Sequence, residues 1–156
     1  MTQSKQHQES FVRWQSTTIA QLGYSIGLLL SIATAMLGFA FALLKDRDFS
    51  LSSCEKYVFV GALLLLTASV ALGLACVVNR LCDFRLTTGI ARGREQLLRD
   101  EKPQETIDSF LKPKRDLAKI LGKRTWSLFW WQTGTFSLGV LFLILALATL
   151  YHAKLL

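Results

Sequence analysis

Residues 80–126 read RLCDFRLTTGIARGREQLLRDEKPQETIDSFLKPKRDLAKILGKRTW and carry 12 of the 18 Lys and Arg residues and 7 of the 11 acids of this 156-residue chain. On both sides the charge stops. Tyr57 to Asn79 is 23 residues without a charged side chain, and Ser127 to Tyr151 is 25. A third such run, Ile19 to Leu44, has 26 residues. Helices of these lengths measure about 35–39 Å at roughly 1.5 Å per residue, enough to cross a hydrocarbon core about 30 Å thick. Segregation also explains how a chain that is 51% hydrophobic carries 19% charge. The expected fold is an all-α membrane protein with three transmembrane helices, the second and third extended beyond the membrane as a basic helical hairpin.

The hairpin reading rests on periodicity. Between Arg80 and Arg99 there is no proline, and Leu86, Ile90, Gly93 and Leu97 recur at helical spacing to make one apolar seam. Gly89 and Gly93 lie near that side and permit close approach. Arg85, Arg92 and Arg99 recur every seven residues on a separate stripe. Asp100-Glu101-Lys102-Pro103 is expected to end the helix, because proline disfavours helical backbone before it. Residues 100–113 read as a turn region with one short helical turn at Thr106–Leu111. A new helix is then expected from Lys114, with Pro113 in its first turn. Leu117, Ile120, Leu121 and Leu128 are expected to line its packed side, and Arg115, Lys119 and Lys123 another.

Working outward, Trp126, Trp130 and Trp131 beside Lys123 and Arg124 match an aromatic belt at a membrane surface, and Trp14 is expected at the same level. The divisions are 1–18 as an N-terminal segment, 19–44 as the first span, 45–56 as a loop, 57–79 as the second span, 80–126 as the hairpin, 127–151 as the third span and 152–156 as a C-terminal tail. Ser52 or Ser53 is a candidate cap for the second helix, with Glu55 in its first turn. Ala40-Phe41-Ala42 resembles a signal-peptide cleavage site, but the run is longer than the 7–15 residues of a signal core, so retention is expected. The three cysteines, Cys54 in the loop, Cys76 and Cys82, are expected to be free thiols.

Gly23, Gly27, Ser31 and Ala35 recur every four residues, a face on which another helix packs closely in lipid. Small residues on the second and third spans as well suggest a homo-oligomer. Orientation follows from the bases. The N-terminal segment and hairpin hold fourteen, against four in the first loop and C-terminal tail, so the positive-inside rule expects N-terminus and hairpin in the cytoplasm and the C-terminus outside.

Function classes narrow by chemistry. His7 and His152 are the only histidines, and no Gly-rich phosphate loop, Ser-His-Asp set or metal-ligand cluster is present in the sequence, so neither an enzyme nor a cofactor is expected. The spans hold no ionisable group of the kind proton-coupled pumps use. A pore from this chain is expected to be lined by apolar residues and by Gln21, Ser25, Ser31, Thr34, Thr67, Ser69, Gln132, Thr133 and Ser137, and to close by dewetting. Three readings stand for the hairpin bases: a solvated surface that sets topology, contact with anionic lipid near the membrane, or an anionic ligand. Arg99 lies about 30 Å from the end of the second apolar run, beyond the reach of lipid.

The runs Asn79-Arg80-Leu81-Cys82-Asp83-Phe84-Arg85-Leu86 and Thr125-Trp126-Ser127-Leu128-Phe129-Trp130-Trp131, set in this architecture, resemble the small membrane effectors of bacterial anti-phage defence systems, of the SLATT type or the Hailong channel type. The resemblance lies in architecture rather than in a diagnostic motif, and a third span departs from the SLATT pattern. It implies an inner-membrane oligomer whose pore responds to a nucleotide or oligonucleotide signal from a partner nucleotidyltransferase. No residue role follows from the resemblance; the basic stripes themselves supply the candidates for binding the signal, Arg85, Arg92, Arg99, Arg115, Lys119 and Lys123. The alternative is a non-conducting membrane anchor for a cytoplasmic partner.

Overall fold

An uncharged run in an apolar medium satisfies its peptide groups within one segment only as a helix. The computed structural model, which describes the backbone of residues 2–45 and 53–155 and the side chains of 17–45 and 55–150, is three α-helices: α1 (Thr2–Lys45), α2 (Ser53–Arg99) and α3 (Gln104–Leu155). Each helix is long and apolar enough to cross a membrane. The helix of α1 begins at Thr2, well before the apolar run, and Cys54 falls in the first turn of α2 rather than in a loop. Ser53, one of the two candidate caps, is the first residue of α2; the other, Ser52, the remainder of that loop, and the side chains of Trp14, Cys54 and His152 lie outside the described residues.

The charged stretch turns where expected. The Lys102 N–H donates to the Leu97 carbonyl at 3.1 Å and the Glu101 N–H to the Leu98 carbonyl at 3.2 Å, closing α2 with the two-bond Schellman pattern. Glu101 takes the left-handed conformation the pattern requires, with φ 51°. A side chain there crowds the following carbonyl, so Glu101→Gly is expected to raise unfolding free energy by up to about 1 kcal/mol in a chemical unfolding titration. The Pro103 carbonyl then accepts from the N–H groups of Thr106 and Ile107, opening α3 at Gln104.

That start corrects the sequence reading. Thr106–Leu111 is not an isolated turn, and Pro113 lies inside α3 rather than opening it. Ile107 and Leu111 are fully buried, and a Cβ on Gly93 would stand 3.8 Å from Leu111 Cδ2. Burial of these two side chains against α2 stabilises the turns before Pro113 and offsets the hydrogen bond that proline removes.

The helices pair antiparallel in sequence order. Along α2 and α3, Gly93 meets Leu111, Asn79 meets Thr125, Ser69 meets Gln132 and Gly61 meets Phe142. Along α1 and α2, Gly23 meets Arg80 and Leu30 meets Gly73. A core at the far end joins Ala40 of α1, Phe59, Ala62 and Leu66 of α2, and Leu143 and Ala146 of α3. The α2 seam at Leu86, Ile90, Gly93 and Leu97 is half-buried, as its spacing predicts. Neither glycine stands at a close approach: a Cβ on Gly93 would make only ordinary contact with Leu111, and a Cβ on Gly89 would meet nothing within 4 Å. The α3 seam differs from expectation. It runs through Ile107, Leu111, Ala118, Leu121 and Thr125, leaving Leu117 53% and Ile120 61% exposed. The register is set upstream by Ile107 and Leu111, and the small Ala118 continues it.

The α1 face also differs. Ile26, Ala33 and Ala40 are buried, with Leu30 and Leu37 between them. Of the expected packing face, Gly23 alone contacts α2, whereas Gly27, Ser31 and Ala35 remain exposed. Large apolar side chains such as Leu64, Leu74, Leu141 and Ile144 are half or more exposed, a surface suited to lipid.

Candidate functional site

The six bases expected to bind a signal do not form one cluster. All are exposed. Arg85 and Arg92 line a shallow depression formed by α2 alone, with Leu81, Phe84 and Gly89. By the 100° step of a helix, Arg99 continues that stripe. Arg115 and Lys119 lie on the other flank of the α2–α3 pair, and Lys123 follows at the same spacing of four. A protomer therefore carries two basic stripes on opposite flanks of the pair.

Three exposed ion pairs temper these charges. Arg99 Nη2 lies 3.5 Å from Glu95 Oε1, Arg115 Nη1 is 3.1 Å from Asp108 Oδ1, and Lys119 Nζ is 3.7 Å from Asp116 Oδ1. Exposed pairs of this kind contribute about 0–1 kcal/mol each, so an incoming anion displaces the carboxylates at small cost.

Between α1 and the second flank lies a groove of about 620 Å³. Its basic wall is Arg80, Arg115 and Lys119, with Asp83 as the acid; its apolar wall includes Ile19, Leu22, Phe84, Ile90 and Trp126. Arg80 is half-buried, and its Nη2 donates to the Ile19 carbonyl, tying α1 to α2 at the end of the apolar run. Gly23 makes room for it: a Cβ there would stand 2.5 Å from Arg80 Nη1. Beside Arg80, the Asn79 amide donates to the Leu121 carbonyl at 2.9 Å and to Thr125 Oγ1 at 2.8 Å, while the Thr125 hydroxyl donates to Leu121 at 3.0 Å. This network fixes α2 against α3 where apolar sequence gives way to charge. Sequence reasoning left Asn79 out of the site, and placed Arg80, with Lys123 and Arg124, as a contact to anionic lipid rather than among the signal-binding bases. Their signal is an amide that closes the uncharged run of α2 and a cation directly after it.

The polar residues of the apolar runs mostly serve their own helices. Ser25, Ser31, Thr34, Thr67 and Thr133 each donate to the carbonyl four residues back at 2.8–3.0 Å. Ser69 is buried and donates across to the Gln132 carbonyl at 3.2 Å. The Gln132 side chain is fully buried, and neither its oxygen nor its nitrogen bonds any described residue. It presses on Gly73, whose added Cβ would stand 2.6 Å from Gln132 Nε2 and 3.1 Å from Leu30 Cδ1, so all three helices meet there. Trp126, Trp130 and Trp131 are exposed, and Trp126 stands edge-on to Phe129 at 6.1 Å. No family model, curated protein or solved structure matches this chain.

Proposed function

We propose that this chain is the subunit of a homo-oligomeric pore in a bacterial inner membrane, an effector of anti-phage defence gated by an anionic nucleotide or oligonucleotide. Residues 80–126 and the N-terminus lie in the cytoplasm, and the C-terminus lies outside. The observation that carries the reading is the pair of basic stripes on opposite flanks of α2–α3, beyond uncharged helices whose apolar faces are largely exposed. In a ring built head to tail, each interface joins one flank of a subunit to the opposite flank of the next. The stripe Arg85, Arg92, Arg99 then faces Arg115, Lys119, Lys123 of the neighbour. Like charge resists that contact until a polyphosphate lies between, so the signal controls the interface. Gly27, Ser31 and Ala35, exposed on α1, suit close helix contact between subunits. The defence role and the partner nucleotidyltransferase rest on resemblance in architecture.

The test is conductance of the purified protein in a planar bilayer, before and after short oligonucleotides reach the side bearing 80–126. Discrete currents that change with the oligonucleotide are expected. Replacing one stripe (Arg85, Arg92 and Arg99) by Gln is expected to abolish the response and flatten the salt dependence of oligonucleotide binding, since each phosphate contact releases counterions. An unchanged response overturns the role of these bases. Silence in folded, inserted protein favours a membrane anchor instead. That second reading draws on Leu98, Phe110, Leu117 and Ile120, large apolar side chains exposed outside the uncharged runs and available to a partner.

A further inference from the structure

The groove between α1 and the α2–α3 pair sets Arg80 and an apolar wall, neither of which the oligonucleotide reading uses, beside Lys119 and Arg115, which it does. It has a basic wall and an apolar wall, and it straddles the border where the uncharged runs stop. We propose that it is a site for one anionic glycerophospholipid, its phosphate held by Arg80 and Lys119 and an acyl chain laid along Ile19, Leu22 and Trp126.

Depth supports this occupant. Arg80 immediately follows the uncharged run of α2, and its neighbours on α3 are Leu121 and Thr125. Lys119 lies about 8 Å further out than Arg124, at roughly 1.5 Å per residue. The headgroup layer of a bilayer leaflet is about 5–7 Å thick, so these two cations bracket it. Arg115, one turn beyond, reaches the outer edge of the groove.

Charge and rigidity support it as well. The wall carries three cations against Asp83. Arg115 and Lys119 also have exposed carboxylate partners, Asp108 and Asp116, which a phosphate displaces. Arg80 differs from both. Its guanidinium is seated on Gly23 and held by the Ile19 carbonyl, which occupies one of five N–H donors and leaves the others in fixed geometry. A preset planar fork beside an aliphatic wall suits a phosphodiester attached to a hydrocarbon chain. A nucleobase covers only part of this wall, whereas an acyl chain runs along Ile19, Leu22 and Trp126 together. Lipid in this position wedges α1 against α2–α3 and makes the angle of α1 depend on leaflet composition.

The experiment uses the full chain with Trp14, Trp130 and Trp131 replaced by Phe, so that Trp126 on the groove wall reports alone. The protein is reconstituted in zwitterionic phosphatidylcholine containing a small fraction of brominated lipid, which quenches tryptophan on contact. Brominated phosphatidylglycerol is expected to quench Trp126 at least twofold more than brominated phosphatidylcholine at equal fraction. Arg80→Gln and Lys119→Gln are each expected to remove the excess. Arg124→Gln, which loses the same charge beside the same membrane surface but outside the groove, is expected to keep it. Lys119 makes no bond between helices, so its variant keeps the test valid if Arg80→Gln loosens α1. Equal quenching by the two lipids overturns the proposal, as does equal loss from Arg124→Gln, which marks a diffuse surface attraction. Displacement of the brominated lipid by a soluble oligonucleotide that persists when Arg85, Arg92 and Arg99 are replaced by Gln also overturns it and assigns the groove to the signal.

Discussion

Gly139→Leu is expected to lower the unfolding free energy by about 3 kcal/mol or more, the upper part of the range for overpacking a filled core. Read as SDS titration of the micelle-solubilised protein by tryptophan emission, the midpoint moves well to lower SDS. The reason is local. A Cβ on Gly139 would stand 3.0 Å from Leu66 Cγ and 3.2 Å from Leu65 Cβ, closer than carbon atoms normally rest. Leu66 is itself fully buried in the core with Phe59, Leu143 and Ala146, so it has no empty space to enter. Three further carbon atoms force α2 and α3 apart, and every contact along the pair weakens. Gly134→Leu is the control. A Cβ there meets nothing within 4 Å, and replacing glycine inside a helix gains about 1 kcal/mol of propensity relative to alanine-like residues. Its midpoint is expected to stay or rise. Equal midpoints for the two variants would show that α2 and α3 do not approach at Gly139.

The contrast between these two glycines shows where the sequence could be read and where it could not. The three long apolar helices were legible because charge is a binary signal, and residues 80–126 stand out from their flanks without any reference to shape. Within that stretch Leu86, Ile90, Gly93 and Leu97 were legible for the same reason: polar residues surround them, so the apolar period marks a face. The α3 seam was misread because Leu117 and Ile120 are as apolar as Leu121. The deciding residues, Ile107 and Leu111, lay across Pro113, which looked like a boundary. Inside the spans the signal vanishes. Every face of an apolar helix looks alike, so nothing distinguished Ile26, Ala33 and Ala40 from Gly27, Ser31 and Ala35. Small size marks where a helix can approach closely, and several faces of α1 have it. The bases of the candidate site could be named from the sequence, but their grouping could not. Which bases share a flank depends on how α2 and α3 are rotated about their own axes, and that rotation is fixed by the seams just described.

Gln132→Met is expected to act in the opposite direction and raise the unfolding free energy by about 2 kcal/mol, some 30-fold in the folding equilibrium. Gln132 is fully buried where Leu30, Gly73 and Ser69 converge, and its amide bonds no described residue. A buried amide without partners costs about 1–3 kcal/mol relative to one that is satisfied. Methionine has similar length and the same unbranched stem, so it fills the place against Gly73 without polar atoms to desolvate. The bond from Ser69 to the backbone carbonyl of residue 132 survives the change. The same SDS titration reads the result, and conductance gives it a second meaning. A residue that destabilises one arrangement of three helices favours any other arrangement in which its amide reaches water or a polar partner. If the pore opens by separating α1 from α2 and α3 at this junction, Gln132→Met stabilises the closed packing and open probability falls together with the gain in stability. A gain in stability with unchanged currents places the gate elsewhere. A loss of stability would mean that the amide is paired in the folded protein, and the three-helix junction would then be a bonded contact rather than a strained one.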